Sequence, residues 1–468
     1  MWLSVQQRGN VFLVVAACLL ALDIGTPFSG HDWQRVGQIA TGLCALMYGL
    51  SCTSATRLVD RPTALGLLLI IGLGLLSSLL AHQPLWAFTE LALVITCASI
   101  AMAFAQVRRN GDESLDRVLI LAVCLLCLIK SFQYLYAGVL AFTSGEPVLN
   151  TDLLLSGFSN KRFYGQFQTF TLPLLALPLL VANITRPVRA AVFALLCIWW
   201  LIAISGGTRG TWLGMGAAGV AVVFFGSFGR RWLAWQLAAV CCGLMLYWLL
   251  FTVLTRYLGI DVSNFAGERL TTSLSSRGPL WELALNMIHE RPVLGLGPMH
   301  FADTGNAIAA HPHQAILQWA SEWGAPSTLC VAVLALRGGW ATIRVLRDRA
   351  LCSAPVDLLR LCLFAALIGA MTQAMVDGVF VMPNSQLWLA LVVGWLMALH
   401  VWRTPLATSK PLSRAWAVAS LLAIGLLVFV AIRDVPHLTE RIQHYAGVSK
   451  VHLQPRFWAQ GVIALEKQ

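Results

Sequence analysis

The chain is dominated by a succession of long apolar runs, at about 11–24, 35–52, 64–82, 85–106, 118–142, 166–184, 187–205, 210–228, 232–253, 325–343, 358–382, 385–402 and 415–432. About twenty apolar residues make an α-helix long enough to cross the ~30 Å hydrocarbon layer of a bilayer. In lipid every backbone N–H and C=O must be bonded within the structure, which leaves helices or a closed barrel. The alternating, roughly ten-residue pattern of a barrel is absent. The expectation is an all-α polytopic membrane protein of about 12–13 transmembrane helices in one integral membrane domain, 1–468. Composition agrees: 58% of the residues are hydrophobic and 11% charged, against roughly 25% charged in soluble domains. The first run, Val11 to Ile24, has the length of a signal sequence, but no small-residue cleavage site follows; it is expected to be the first span.

The net charge of +11 needs no nucleic acid to explain it. Basic residues follow alternate spans: Arg57 and Arg61, then Arg108, Arg109 and Arg117, Arg186 and Arg189, Arg230 and Arg231, Arg344, Arg347 and Arg349, and finally Arg403, Lys410 and Arg414. Loops rich in Lys and Arg stay in the cytoplasm. The N-terminus is therefore expected inside, and the tail 433–468 outside. Most of the twelve cysteines lie in apolar runs, so no disulfide framework is expected. Cys124-Leu-Leu-Cys127 reads as packing within a span.

One polar interval interrupts this pattern, the expected outer loop 254–324. It carries Arg277-Gly-Pro-Leu-Trp281, then Arg291-Pro-Val-Leu-Gly295-Leu-Gly297, then His311-Pro-His313-Gln314 ahead of Gln318 and Glu322. Two other outer loops add Lys161, Arg162 and Gln166, and Arg209. Guanidinium forks match phosphate oxygens, and several cations beside lipid suit a lipid phosphate or diphosphate. Ser275, Ser276 and Gly278 would let backbone donors approach. Pro279 stands in a first helical turn, whose N-terminus favours an anion. A histidine before a helix is either a general base or only a polar residue at the helix start. His311-x-His313 lacks a third ligand at suitable spacing, so no metal is expected. Gly295-Leu-Gly297 alone is too little for a nucleotide site. Lys130 and Asp377 fall inside apolar runs, where charge needs a partner. Gln373 and Asp377, four apart, share a helix face.

These motifs carry a resemblance. Arg277-Gly-x-x-Trp, Arg291-Pro-x-x-Gly-x-Gly and His313-x-x-x-Leu-Gln-x-x-x-Glu322-x-Gly324 resemble the superfamily of O-antigen ligases, O-antigen polymerases and protein O-oligosaccharyltransferases. This chain has His313-Gln314 where the family commonly has His-Asn. The resemblance implies a GT-C-like protein of the bacterial inner membrane with its active site facing the periplasm. It implies a metal-independent, inverting transfer of a glycan from an undecaprenyl-diphosphate carrier to an acceptor hydroxyl, with no cofactor. Arg209, Arg277, His313 and Asp377 would be the catalytic residues; Lys161, Arg162, Gln166, Arg291, Gln314 and Glu322 would bind substrate. The acceptor would be lipid A core for a ligase, an exported protein such as a pilin for an oligosaccharyltransferase, or another lipid-linked glycan for a polymerase. A transporter of lipid-linked glycan would also want cations, but along a midplane path rather than at one face.

Overall fold

The computed structural model describes residues 4–25, 30–51, 59–263, 277–400, 410–449 and 452–464. Arg57, Ser275, Ser276 and Arg403 lie outside the described residues. In chain order the helices are α1 (Val5–Gly25), α2 (His31–Ser51), α3 (Arg61–Leu79), α4 (Pro84–Asn110), α5 (Ser114–Thr143), α6 (Lys161–Leu175), α7 (Leu177–Leu180), α8 (Arg186–Ser205) and α9 (Arg209–Val222). They continue as α10 (Gly226–Trp248), α11 (Thr255–Leu258), α12 (Arg277–Glu290), α13 (Ala315–Trp323), α14 (Ala325–Asp348), α15 (Pro355–Ala374), α16 (Pro383–Leu399), α17 (Lys410–Asp434) and α18 (Leu438–Ser449). Two three-residue strands, β1 (Val148–Asn150) and β2 (Asp261–Ser263), pair in parallel with Val148 opposite Asp261.

Proline sets many of the starts. Pro62, Pro84, Pro187, Pro326, Pro355 and Pro383 stand in first turns, where the missing N–H would have had no partner. Asn160 caps α6 by accepting from the Arg162 N–H at 2.8 Å, and Gln314 caps α13 by accepting from the Leu317 N–H at 2.5 Å.

The all-α polytopic reading holds, but the spans are uneven. Among the described residues, 8 helices are long and apolar enough to cross a membrane: α3, α4, α5, α8, α10 with its continuation, α14, α15 and α17 with its continuation. The other five expected spans differ for visible reasons. Segment 166–184 breaks at Ala176, three residues beyond Pro173, into α6 and the four-residue α7. Segment 210–228 is helical only through the 14 residues of α9, about 21 Å at 1.5 Å per residue. Segment 35–52 belongs to a helix that buries His31, Gln34, Arg35 and Gln38 on one face. The apolar parts of α1 and α16 are shorter.

α4 packs against α2, α16 and α17, and α15 packs against α6 and α9. The described part of the polar interval from Arg277 to Gly324 is not a loose loop. α12 buries Leu280, Ala284 and Met287 against Phe301 and Ala309. The segment Arg291–Gly297 is fastened to the end of α13: the Leu296 N–H donates to Ser321 O at 3.0 Å, the Gly297 N–H to Glu322 O at 3.1 Å, and the Ala325 N–H to Pro292 O at 2.9 Å. Gly324 makes this possible. Its φ is +81°, and a Cβ there would stand 2.0 Å from Val293 O. The glycine-rich motif is thus a close backbone junction, which Ser77 of α3 also joins by donating to Leu294 O at 2.6 Å.

Candidate active site

Five pieces of backbone meet at one end of the bundle. They are the N-termini of α6, α9 and α12, the His311–His313 turn before α13, and the turn that follows α15. Close contacts fix the arrangement. Gly165 of α6 lies so near Thr208 and Thr211 that a Cβ would come within 2.5 Å of both hydroxyls. Gly210, beside Arg209, packs on Gln373 at the end of α15. Gly378 packs on the His311 ring. Trp281 of α12 donates its indole N–H to Pro312 O at 3.1 Å, which holds α12 to the histidine turn.

His313 stands at the centre. Its backbone is left-handed, φ +54°, a conformation that costs a non-glycine residue of order 1–3 kcal/mol and gathers at functional sites. Nδ1 lies 3.7 Å from Oδ1 of Asp377, within ion-pair reach and beyond hydrogen-bond length. Burial pushes the His313 imidazole below its ordinary value; Asp377 opposes this, while Arg162 and Arg277 add to it. The ring is therefore neutral at pH 7 and able to accept a proton.

Asp377 is held from several sides. α15 ends at Ala374, so Asp377 sits in the turn beyond it, yet the Gln373 amide still donates to Oδ2 at 3.3 Å and the Gly378 N–H to Oδ1 at 2.8 Å. Thr169 donates to Gln373 Oε1 at 2.6 Å and sets that amide's orientation. Burial would raise the carboxyl, but His313, Gln166 and Arg162 outweigh it and hold it below the usual range. Asp377 is thus ionised, and it faces His313.

The cations surround this pair. Burial lowers the Arg277 guanidinium, with Arg162 and Arg209 repelling it and Asp377 offsetting them. A guanidinium is far too basic for this to neutralise it, so it remains charged. Arg162, Arg209 and Arg277 occupy the first turns of α6, α9 and α12. Arg162 and Arg277 thus act on Asp377 and His313, and Arg209 on Arg277, so that three helix N-termini and three guanidinium groups make one electropositive cluster, a strong setting for a polyanion.

The remaining expected residues sit around this centre. Gln166 is fully buried and accepts from the Ser385 hydroxyl at 2.5 Å. Lys161 spends its ammonium on both oxygens of Asp152, at 2.7 and 3.0 Å. Arg291 donates to Leu80 O at 2.9 Å and braces the end of α3. Gln314 is the cap of α13. Glu322 is fully buried, accepting from the Phe301 N–H at 3.0 Å and pairing with Arg456 at 2.6 Å. Neither Gln314 nor Glu322 therefore orients the imidazole; Asp377 faces it. The positive φ of His313 folds the two rings together at 4.1 Å between centroids, and the His313 N–H donates to His311 Nδ1 at 3.3 Å. Lys130 is a tether: its ammonium donates to Gln133 at 2.8 Å and to Ser156 O at 2.6 Å, anchoring the loop before α6 to α5. Among the described residues, no three His, Cys, Asp or Glu side chains converge as a metal site.

Sequence inspection does not single out Glu90 and Arg456. Glu90 did carry a signal, as a carboxylate inside the run 85–106, where a charge implies a partner. Arg456 carried none, because it lies in the expected outer tail 433–468, where a charge needs no partner.

Residues 191–332 match the family model described as O-antigen ligase. That span takes in Arg209, Arg277 and His313, while Arg162 and Asp377 fall on either side of it. A comparison with curated proteins finds no match to the chain. Members of the matched family are glycosyl-transferring enzymes. With an all-α polytopic fold and the matched region at its polar end, the chain is similar over residues 191–332 to the O-antigen ligase family.

Proposed function

We propose that this protein is an O-antigen ligase of the bacterial inner membrane. It moves a glycan from an undecaprenyl-diphosphate carrier to a hydroxyl of lipid A core, on the periplasmic face. The observation that carries the reading is the pairing of a neutral, partly buried His313 with Asp377 among three guanidinium groups at helix N-termini. Asp377 favours the tautomer with the proton on Nδ1, leaving the Nε2 lone pair to act as base. The acceptor hydroxyl gives its proton to Nε2 as its oxygen attacks the anomeric carbon. The bond from that carbon to the diphosphate oxygen breaks, its electron pair leaving with the diphosphate, and the configuration inverts. Arg162, Arg209 and Arg277 stabilise the charge that grows on the leaving group, the task of fixed electrostatic donors in a dry site. Gln166 and Gln373 hold the base pair from behind. Lys161, Arg291, Gln314 and Glu322 serve the site by fixing its walls.

The test is reconstitution. Purified protein, given undecaprenyl-diphosphate-linked glycan and lipid A core, is expected to form the glycosylated core and release the carrier. Glycan transfer to a pilin instead, or elongation of the donor glycan, would replace the ligase with another branch. Movement of the donor across vesicles with no new glycosidic bond would replace the enzyme with a transporter.

A further inference from the structure

The last described segment, 452–464, has little regular structure, yet it lies deep in the protein. Gln454, Arg456, Phe457, Trp458 and Ile463 are each 3% exposed or less. Its backbone is gripped by α2: the Arg456 and Phe457 carbonyls lie 3.0 and 3.2 Å from His31 Nε2, and Arg35 donates to Phe457 O at 3.0 Å and to Arg456 O at 3.1 Å. In turn the segment clasps the chain that leads to the histidine turn. Ile463 N–H donates to Ala302 O at 3.1 Å, and the Gln454 amide to Asn306 O at 2.9 Å.

The Arg456 guanidinium reaches furthest. It has no exposed surface. Nη2 pairs with Glu322 at 2.6 Å and with Glu90 at 3.3 Å, and Nη1 approaches Ala310 O at 3.4 Å. With its amide oxygen turned to the guanidinium, Gln318 accepts from Nη1 at 3.2 Å and Nη2 at 3.3 Å. One side chain thus joins α4, α13 and the residue directly before His311. A lysine cannot copy this, because an ammonium lacks the planar fork that serves several acceptors at once.

We infer that segment 452–464 is a positioning strap for the active site, with Arg456 as its positioning residue. The inference rests on the reading of His313 as the catalytic base. The strap fixes the carbonyls of Ala302, Asn306 and Ala310, and so sets the left-handed turn that places His313 against Asp377. Arg456 touches no substrate; it acts through the geometry of the histidine turn.

The test uses the full chain in detergent, as wild type, Arg456→Lys and the milder Gln454→Ala, which leaves the buried charges paired. Two readouts are taken: steady-state transfer from undecaprenyl-diphosphate-linked glycan, and the rate at which diethyl pyrocarbonate modifies His313, followed by peptide mass spectrometry with exposed His289 as reference. A misplaced catalytic group can cost about 100-fold. Arg456→Lys is expected to lower kcat by about tenfold to hundredfold with KM for the donor within about twofold. His313 should react faster and His289 at its normal rate, and Gln454→Ala should move the same quantities less. Wild-type kcat in both variants would overturn the inference, as would a fall that only tracks lost folded protein while His313 reactivity stays unchanged. If the wild type transfers no glycan, the functional reading fails. The His313 reactivity then decides the strap alone, faster modification supporting it and an unchanged rate overturning it.

Discussion

Asp377 and His313 face each other across 3.7 Å although 64 residues separate them, and the two helices that bring them together, α13 and α15, approach the pair from opposite chain directions. The carboxylate is charged and the imidazole neutral, so the pair is arranged to hold one tautomer of a base.

Asp377 raises the affinity of His313 for its proton, against burial and the nearby arginines. Asp377→Asn is therefore expected to lower the His313 pKa further. The acid limb of kcat/KM, already below the ordinary imidazole value of about 6.5, should move to lower pH. The plateau should fall by about tenfold or more, since a weaker and less oriented base remains. A pH–rate profile of the two proteins checks this, and a limb that stays in place or moves upward would contradict it.

Arg277→Lys keeps the charge beside Arg162 and Arg209 and loses the bidentate fork. Transfer should fall by about 100-fold, the scale for removing a preorganised donor to a developing anion, while the protein stays folded. Single-turnover rates with saturating lipid-linked donor are the measurement. A near-normal rate would remove Arg277 from the leaving-group site.

Chelation should leave transfer unchanged. Apart from the His311 ring, the polar side chains near His313 and Asp377 are cationic or amide, and among the described residues no trio of metal-ligating side chains converges. Loss of activity on treatment with EDTA, restored by a divalent ion, would require a different electrophile.

Gly324→Ala places a Cβ against Val293 O at a positive φ. The variant should unfold at lower temperature, with a loss of at least about 1 kcal/mol from incompatible backbone alone. Thermal unfolding of the purified protein in detergent measures it, and an unchanged midpoint would mean that the Arg291–Gly297 junction gives way easily.

Much of this could be read from the chain. Run length and the absence of barrel alternation determine helices, and the residues that refuse an apolar setting, Asp377 and Lys130, mark the places where partners must be. Residue chemistry marked the outer cations and the histidine turn as a group, and the resemblance to the O-antigen ligase superfamily singled out Arg209, Arg277 and His313 among them. Direction was harder to read. Gln314 and Glu322 lie close to His313 in sequence, but a cap and a buried ion pair take their side chains away. Lys161 and Arg162 are neighbours with opposite fates: Lys161 pairs with Asp152, while Arg162 acts on Asp377 and His313. The left-handed turn at His313 has no glycine to announce it, so the edge-to-face packing of His311 on His313 could not be foreseen. The strap was invisible for a simpler reason: a short segment of mixed polarity with no helical or strand period shows its burial only through partners hundreds of residues away, such as His31 and Arg35.

The central claim is that His313 is the base. The direct measurement is transfer from purified undecaprenyl-diphosphate-linked glycan by His313→Ala and His311→Ala, side by side, with donor binding measured on both. Removing a general base typically costs about 100-fold to 10,000-fold, so His313→Ala is expected to show no detectable transfer while still binding donor. His311→Ala removes a packing partner and one bond to the turn, and is expected to retain a measurable rate. An active His313→Ala protein beside a dead His311→Ala protein would contradict the account.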